Sequence, residues 1–157
     1  MELKELMEGF AAKVGLEGLE RSEEGAYALS FNEMDVGFTE DEPGRLLIAA
    51  PFATKPSEGT DRLAEVLLSA NHLFEATDGA TIALNAATGE YILQRHVPLA
   101  LMDVDAIYTL IEAFVNKLES FRDRIKEFRP VFEKADDVVA TERVEAAGLS
   151  MSGFMQV

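Results

Sequence analysis

The chain predicts an α+β fold in which one antiparallel sheet carries helices packed on one face. Three observations lead there. Tyr27, Leu29 and Phe31, and then Met34, Val36 and Phe38, alternate with small or polar residues, the period of half-buried strands. Val104, Ile107, Ile111, Phe114, Leu118, Phe121, Ile125 and Phe128 recur every three or four residues, the period of a helix with one apolar seam. Between them a second helical stretch has strand-like segments on either side. The order is therefore α-β-β-β-α-β-β-α, followed by a tail.

The first helix rests on Leu3, Leu6, Met7, Phe10 and Val14, which share a face, and Gly15 is its expected stop. The two alternating runs meet at Asn32-Glu33, read as a tight turn. After the acidic "EDEPG" comes a short third strand, "RLLIAA", ending at Pro51, and residues 51–59 form a loop. Thr60 is the expected N-cap of the middle helix, with Asp61 suited to its positive end. The stripe Leu63, Val66, Leu67, Ala70, Leu73 and Phe74 is wider than one covered face needs. Part of it is expected to bury against a second copy of the chain.

Asp78-Gly79 then turns the chain into "ATIALN" and "EYILQRHV", two strands around a Thr88-Gly89 turn. Asp103 caps the long helix and Pro130 is expected to end it. One domain over residues 1–130 follows, with 131–157 as a mobile C-terminal extension carrying a short helix near 137–147.

Composition narrows the function. Of 157 residues, 14 are Lys or Arg and 29 are Asp or Glu, giving a formal charge of −15. Such a chain is repelled by phosphate backbones and anionic lipid, so neither nucleic acid nor membrane is an expected partner. The 48% hydrophobic content suffices for a core. The absence of cysteine removes disulfides and thiolate chemistry, which fits a reducing cytoplasm. "MELKELMEGF" is amphipathic and charged, unlike a secretory signal, and no apolar run is long enough to span a bilayer.

Catalytic signatures are sparse. His72 and Glu75 stand three apart in "NHLFEATDG", with Asp78 the nearest third ligand, and a zinc site wants three or four in regular spacing. A hydrogen-bonded or interfacial role suits Asn71, His72 and Glu75 better than a metal. His96 beside Arg95 reads as solvated strand polarity. "TEDEPG" and "KADD" are turn charges without the apolar surroundings a general acid needs. "GLSMSG" lacks nucleophile-elbow spacing, and "ATKPSEGT" lacks the glycines of a phosphate loop. No catalytic residue, metal or cofactor is assigned.

The stretch "LLSANHLFEATDGATIALNAATGEYILQRHVPLALMD", with "YALSFNEMDVGF" and "LLIAAPF" before it, resembles the class I chaperones of bacterial type III secretion, the Tir-chaperone family. The resemblance covers roughly residues 3–128. It implies a cytoplasmic bacterial homodimer that holds the N-terminal region of a secreted effector in extended form, by strand addition and by apolar anchors in grooves. On that reading Leu3, Leu6, Phe10, Val14, Leu29, Phe31, Val36 and Phe38 bind the effector. Leu67, Leu68, Asn71, Ile82 and Leu84 form the dimer contact. One rival reading keeps the fold but has it sequester a small control protein that couples secretion to transcription. Another is an enzyme or ligand binder, which needs His72, Glu75 or Arg95 to converge in a pocket.

Overall fold

The computed structural model describes the backbone of residues 1–135 and the side chains as far as Lys126. Its elements are α1 (Leu3–Val14), β1 (Tyr27–Phe31), β2 (Met34–Glu42), β3 (Arg45–Thr54), α2 (Thr60–Ala70), β4 (Thr81–Asn85), β5 (Glu90–Pro98) and α3 (Val104–Ala135), with 3-10 turns at His72–Phe74 and Leu99–Leu101. All strand pairs are antiparallel, in the spatial order β1-β2-β3-β5-β4. The expected α+β arrangement is the observed one. The tail helix expected near 137–147 lies outside the described residues.

The alternation in sequence becomes two faces. Val36, Phe38, Leu46, Ile48, Ala50 and Leu93 are fully buried, while their neighbours in each strand are half-buried or exposed. Onto the buried face pack Leu6 and Met7 of α1, Leu63, Val66 and Leu67 of α2, and the seam of α3 from Ile107 to Ile125. Each such side chain contributes about 1.5–3 kcal/mol on burial. α1 approaches α3 at Gly9, where an added Cβ would fall 2.6 Å from Val104 Cγ2. Asp103 caps α3 as expected: its Oδ1 accepts from Ala106 N at 2.8 Å.

Tight turns set the register. Asn32 and Glu33 both take positive φ, 48° and 65°, so the β1–β2 hairpin closes through a two-residue type I′ turn. That turn is held to α3, where Arg122 Nη1 donates to Asn32 O at 2.8 Å and Glu119 accepts from the Asn32 side-chain amide.

Four boundaries differ from the expected ones. β3 continues through Pro51 to Thr54, so the predicted loop of residues 51–59 shrinks to the residues after Thr54. Pro51 is tolerated because the β2 ladder has already ended at Gly37–Ala49, and a register shift lies between Pro51 and Ala53 on the β5 side. Gly59 occupies the N-cap of α2, and Thr60 is its first residue, its hydroxyl donating to Pro56 O at 2.9 Å. α2 stops at Ala70, since Leu73 and Phe74 take positive φ and break the helical register. α3 is continuous across Pro130 to Ala135, so the helix crosses the boundary drawn at residue 130. A proline removes one helical hydrogen bond there without ending the element.

Candidate functional site

β1 is an outer strand of the sheet. Because the two-residue turn makes Phe31–Met34 the closing, doubly bonded pair, alternation turns the backbone N–H and C=O of Ser30 and Ala28 outward. Among the described residues the other edge of β1 meets a single bridge, Arg21 to Tyr27. The open part of this edge borders an apolar groove of about 340 Å³. Phe10, Val14 and Leu16 form one wall, Leu29 and Phe31 the floor, and Tyr108, Ile111 and Val115 of α3 the other wall.

Sequence and local geometry explain the wall. Gly15 in the left-handed conformation ends α1, and its amide and that of Leu16 bond back to the last turn, folding Leu16 over the groove. Val14 and Leu16 are 44% and 40% exposed. Lys13 pairs with Asp105 and sits 5.3 Å from the centre of the Tyr108 ring, pinning the rim between α1 and α3. The Asp105 carboxylate raises the Lys13 pKa. The groove can take an apolar side chain while the strand edge beside it pairs with that side chain's backbone.

Of the eight residues expected to contact an effector, Phe10, Val14, Leu29 and Phe31 line this groove. Leu3, Leu6, Val36 and Phe38 do not. They are 0–2% exposed and belong to the core, because they lie on the sides of α1 and β2 that face the rest of the fold. Leu16, Tyr108, Ile111 and Val115 were missed. Ile111 had a place in the α3 seam, but nothing local says that this end of the seam meets a gap between α1 and β1.

The expected dimer residues divide in the same way. Leu67 and Ile82 are buried inside the protomer, at 2% and 6%. Leu68 and Leu84 are exposed, as are Leu73 and Phe74 in the 3-10 turn between α2 and β4. Holding Leu73 and Phe74 at positive φ costs about 1–3 kcal/mol each, and the result is two apolar side chains in solvent. Asn71 does something more specific. Its side-chain amide donates to Ile82 O at 3.1 Å and accepts from Ile82 N at 2.8 Å.

The polar candidates do not assemble. His72 and Glu75 are both exposed, and the break at Leu73 and Phe74 removes the helical spacing that would have set them on one face. Arg95 turns instead to Asp78, donating to its carbonyl at 2.8 Å. Among the described residues no cluster of three His, Asp or Glu forms a metal-binding group. His96 joins Asp41 at 3.0 Å, and Arg45 binds the same carboxylate through two nitrogens at 3.0 and 2.6 Å. Arg45 holds the Asp41 pKa down to about 2, with His96 adding to the effect. No described helix is long and apolar enough to cross a membrane.

Solved structures share this architecture. A chain of the ExsC–ExsE complex aligns with a TM-score of 0.65 and 24% identity, covering 78% of this chain and 96% of that one. A chain of the HopA1–SchA chaperone–effector complex gives 0.63 and 16%, covering 76% and 92%. A chain from the complex of the Yersinia pestis type III secretion chaperone SycH with a fragment of YscM2 gives 0.58 and 19%, covering 74% and 96%. At these identities the likeness is one of fold. The comparison with curated proteins gave no match. The Tir chaperone protein (CesT) family model matches residues 5–122, which span both walls of the groove, the whole sheet and α2, and the chain belongs to that family.

Proposed function

We propose that the chain is a cytoplasmic chaperone of type III secretion. It binds the N-terminal region of a secreted effector as an extended segment and works without catalysis of its own. The observation that carries this reading is the apolar groove set against the open edge of β1, in a member of the Tir chaperone family. An extended client can bond its backbone to Ser30, beyond the Arg21–Tyr27 bridge, while placing alternate side chains over Leu29 and Phe31. Ordering a disordered client costs about 2–5 kcal/mol, so one groove is a weak holder and two are a better one. A second copy supplies the second groove, joined through the exposed Leu68, Leu73, Phe74 and Leu84. The similarity to a chain of a chaperone–effector complex supports the same reading. The formal charge of −15 keeps the loaded assembly soluble.

The test is a pair of variants in the groove. Val14 is 44% exposed, so Val14→Asp should leave the fold within about 0.5 kcal/mol of the parent. Client capture in the native cytosol should nevertheless drop at least about tenfold, equivalent to 1.4 kcal/mol. Leu29→Asp should lower capture likewise, at a larger cost in stability because Leu29 is half-buried against the core. Undiminished capture by both folded variants would remove the groove from the binding surface.

A further inference from the structure

We infer that the groove selects an arginine in its client. The fitting segment sets an apolar side chain over Leu29 and Phe31 and, two residues away on the same face, an arginine against Glu112 and Asn116 of α3. The inference rests on the client-binding reading and adds to it the chemistry of the segment that fits.

The first observation is where the groove is polar. Val14 and Leu16 on one wall and Leu29 and Phe31 on the floor offer no hydrogen-bonding side chain. Glu112 and Asn116 line the same groove, and both are exposed. Four residues apart on a helix, they share a face about 6 Å apart along its axis. Their neighbours Ile111 and Val115 are buried, which sets the two polar side chains at the margin where the apolar lining meets solvent.

The second is charge. Around the groove the other charged groups are engaged: Lys13 pairs with Asp105, Arg122 donates to Asn32 O, and Glu119 accepts from the Asn32 side-chain amide. Among the described residues Glu112 and Asn116 have no such partner. A carboxylate left unpaired at the rim of an apolar cleft attracts a cation, and the summed field of a chain of −15 draws basic segments toward it.

The third is shape. A guanidinium carries its donors in a rigid plane, so two can meet the Glu112 carboxylate side by side and another can reach the Asn116 side-chain oxygen. A lysine ammonium is a compact point charge without that fork. The apolar stem of an arginine also lies favourably along the lining. In an extended client, side chains two positions apart project to the same side at about 6.6 Å, so the anchor on the floor and the arginine at the rim belong to one face.

The test uses the full chain, isotope-labelled, and three acetylated and amidated heptapeptides, TXTLTXT, with X as arginine, lysine or glutamine. Two copies of X serve either chain direction. Titration should move the amide NMR signals of Leu29, Ser30 and Phe31. The arginine peptide should bind about fivefold more tightly than the glutamine peptide, the scale of one well-placed exposed ion pair, and more tightly than the lysine peptide. Glu112→Gln should erase the arginine advantage. Glu65→Gln removes the same charge from an exposed position on α2 and should preserve it. The same spectra report whether each variant is folded. Equal binding of the lysine and arginine peptides, or an arginine advantage that survives Glu112→Gln or falls equally with Glu65→Gln, would overturn the inference. Equal binding of all three at the β1 signals would do so while leaving the groove as the client site. If no peptide moves those signals, the client-binding reading falls and the selection falls with it.

Discussion

Asn71 does with one side chain what a neighbouring strand would do with its backbone. Both Ile82 backbone groups that point away from β5 are satisfied by its amide, which blunts half of the β4 edge and fixes β4 to the end of α2. Asn71→Ala should therefore cost about 1–3 kcal/mol, the penalty for leaving these groups unmade, and chemical denaturation measures it. The sequence flagged Asn71 as an oddity in an apolar run, but its partner is eleven residues away across a turn, and no local pattern names it. His72 and Glu75 looked equally special and are solvent-facing.

Asp41 illustrates a second kind of site. Its carboxyl is held at about 2 against an ordinary 3.8, so the stability it contributes is complete above 3.8 and lost as pH falls through 2. In thermal melts from pH 5 to pH 2, Asp41→Asn should show a shallower acid loss than the parent. Equal slopes would mean that the Arg45 and His96 contacts do not hold in solution.

At the scale of elements, period and caps were readable and ends were not. The strands around Asn32-Glu33 and Thr88-Gly89, the α3 seam and its Asp103 cap all follow from neighbours within a few residues. Pro51 and Pro130 misled, because a proline's effect depends on whether its missing N–H had a partner. At Pro51 that depends on where the β2 ladder ends, a non-local fact. The wide stripe of α2 was visible, but which leucine faces in was not. Leu67 is 2% exposed and Leu68 is 68%. Leu67→Asp should unfold the protein or cost more than about 3 kcal/mol, whereas Leu68→Asp should keep the fold and halve the solution mass. Light scattering and melting together separate the two. If Leu68→Asp leaves a dimer mass, the α2 end is not the contact. Gly9 gives a matching test for α1: Gly9→Val should push α1 off Val104, lower stability and disturb the groove wall together.

At the scale of the molecule, the sheet's one covered face accounts for half of the residues proposed for client binding being core instead. Leu3, Leu6, Val36 and Phe38 are as apolar as Phe10 and Leu29, and the alternation that marks a strand does not say which of its residues border a gap. The groove arises where α1 ends early at Gly15, where among the described residues the outer edge of β1 meets only the Arg21 bridge, and where α3 runs past both. Three separate stretches must be folded before it exists, which is why the family resemblance reached the function sooner than any local motif did.

The most direct measurement is purification of the full chain from secreting bacteria, followed by mass spectrometry of the bound protein and limited proteolysis of the complex. The expected result is a secreted protein whose N-terminal region alone is protected, and whose recovery falls at least about tenfold with Val14→Asp. A bound partner protected as a folded domain, or one retained equally by Val14→Asp and Leu29→Asp, would contradict it. Retention of a small regulator in the same groove would instead assign the fold to control of secretion.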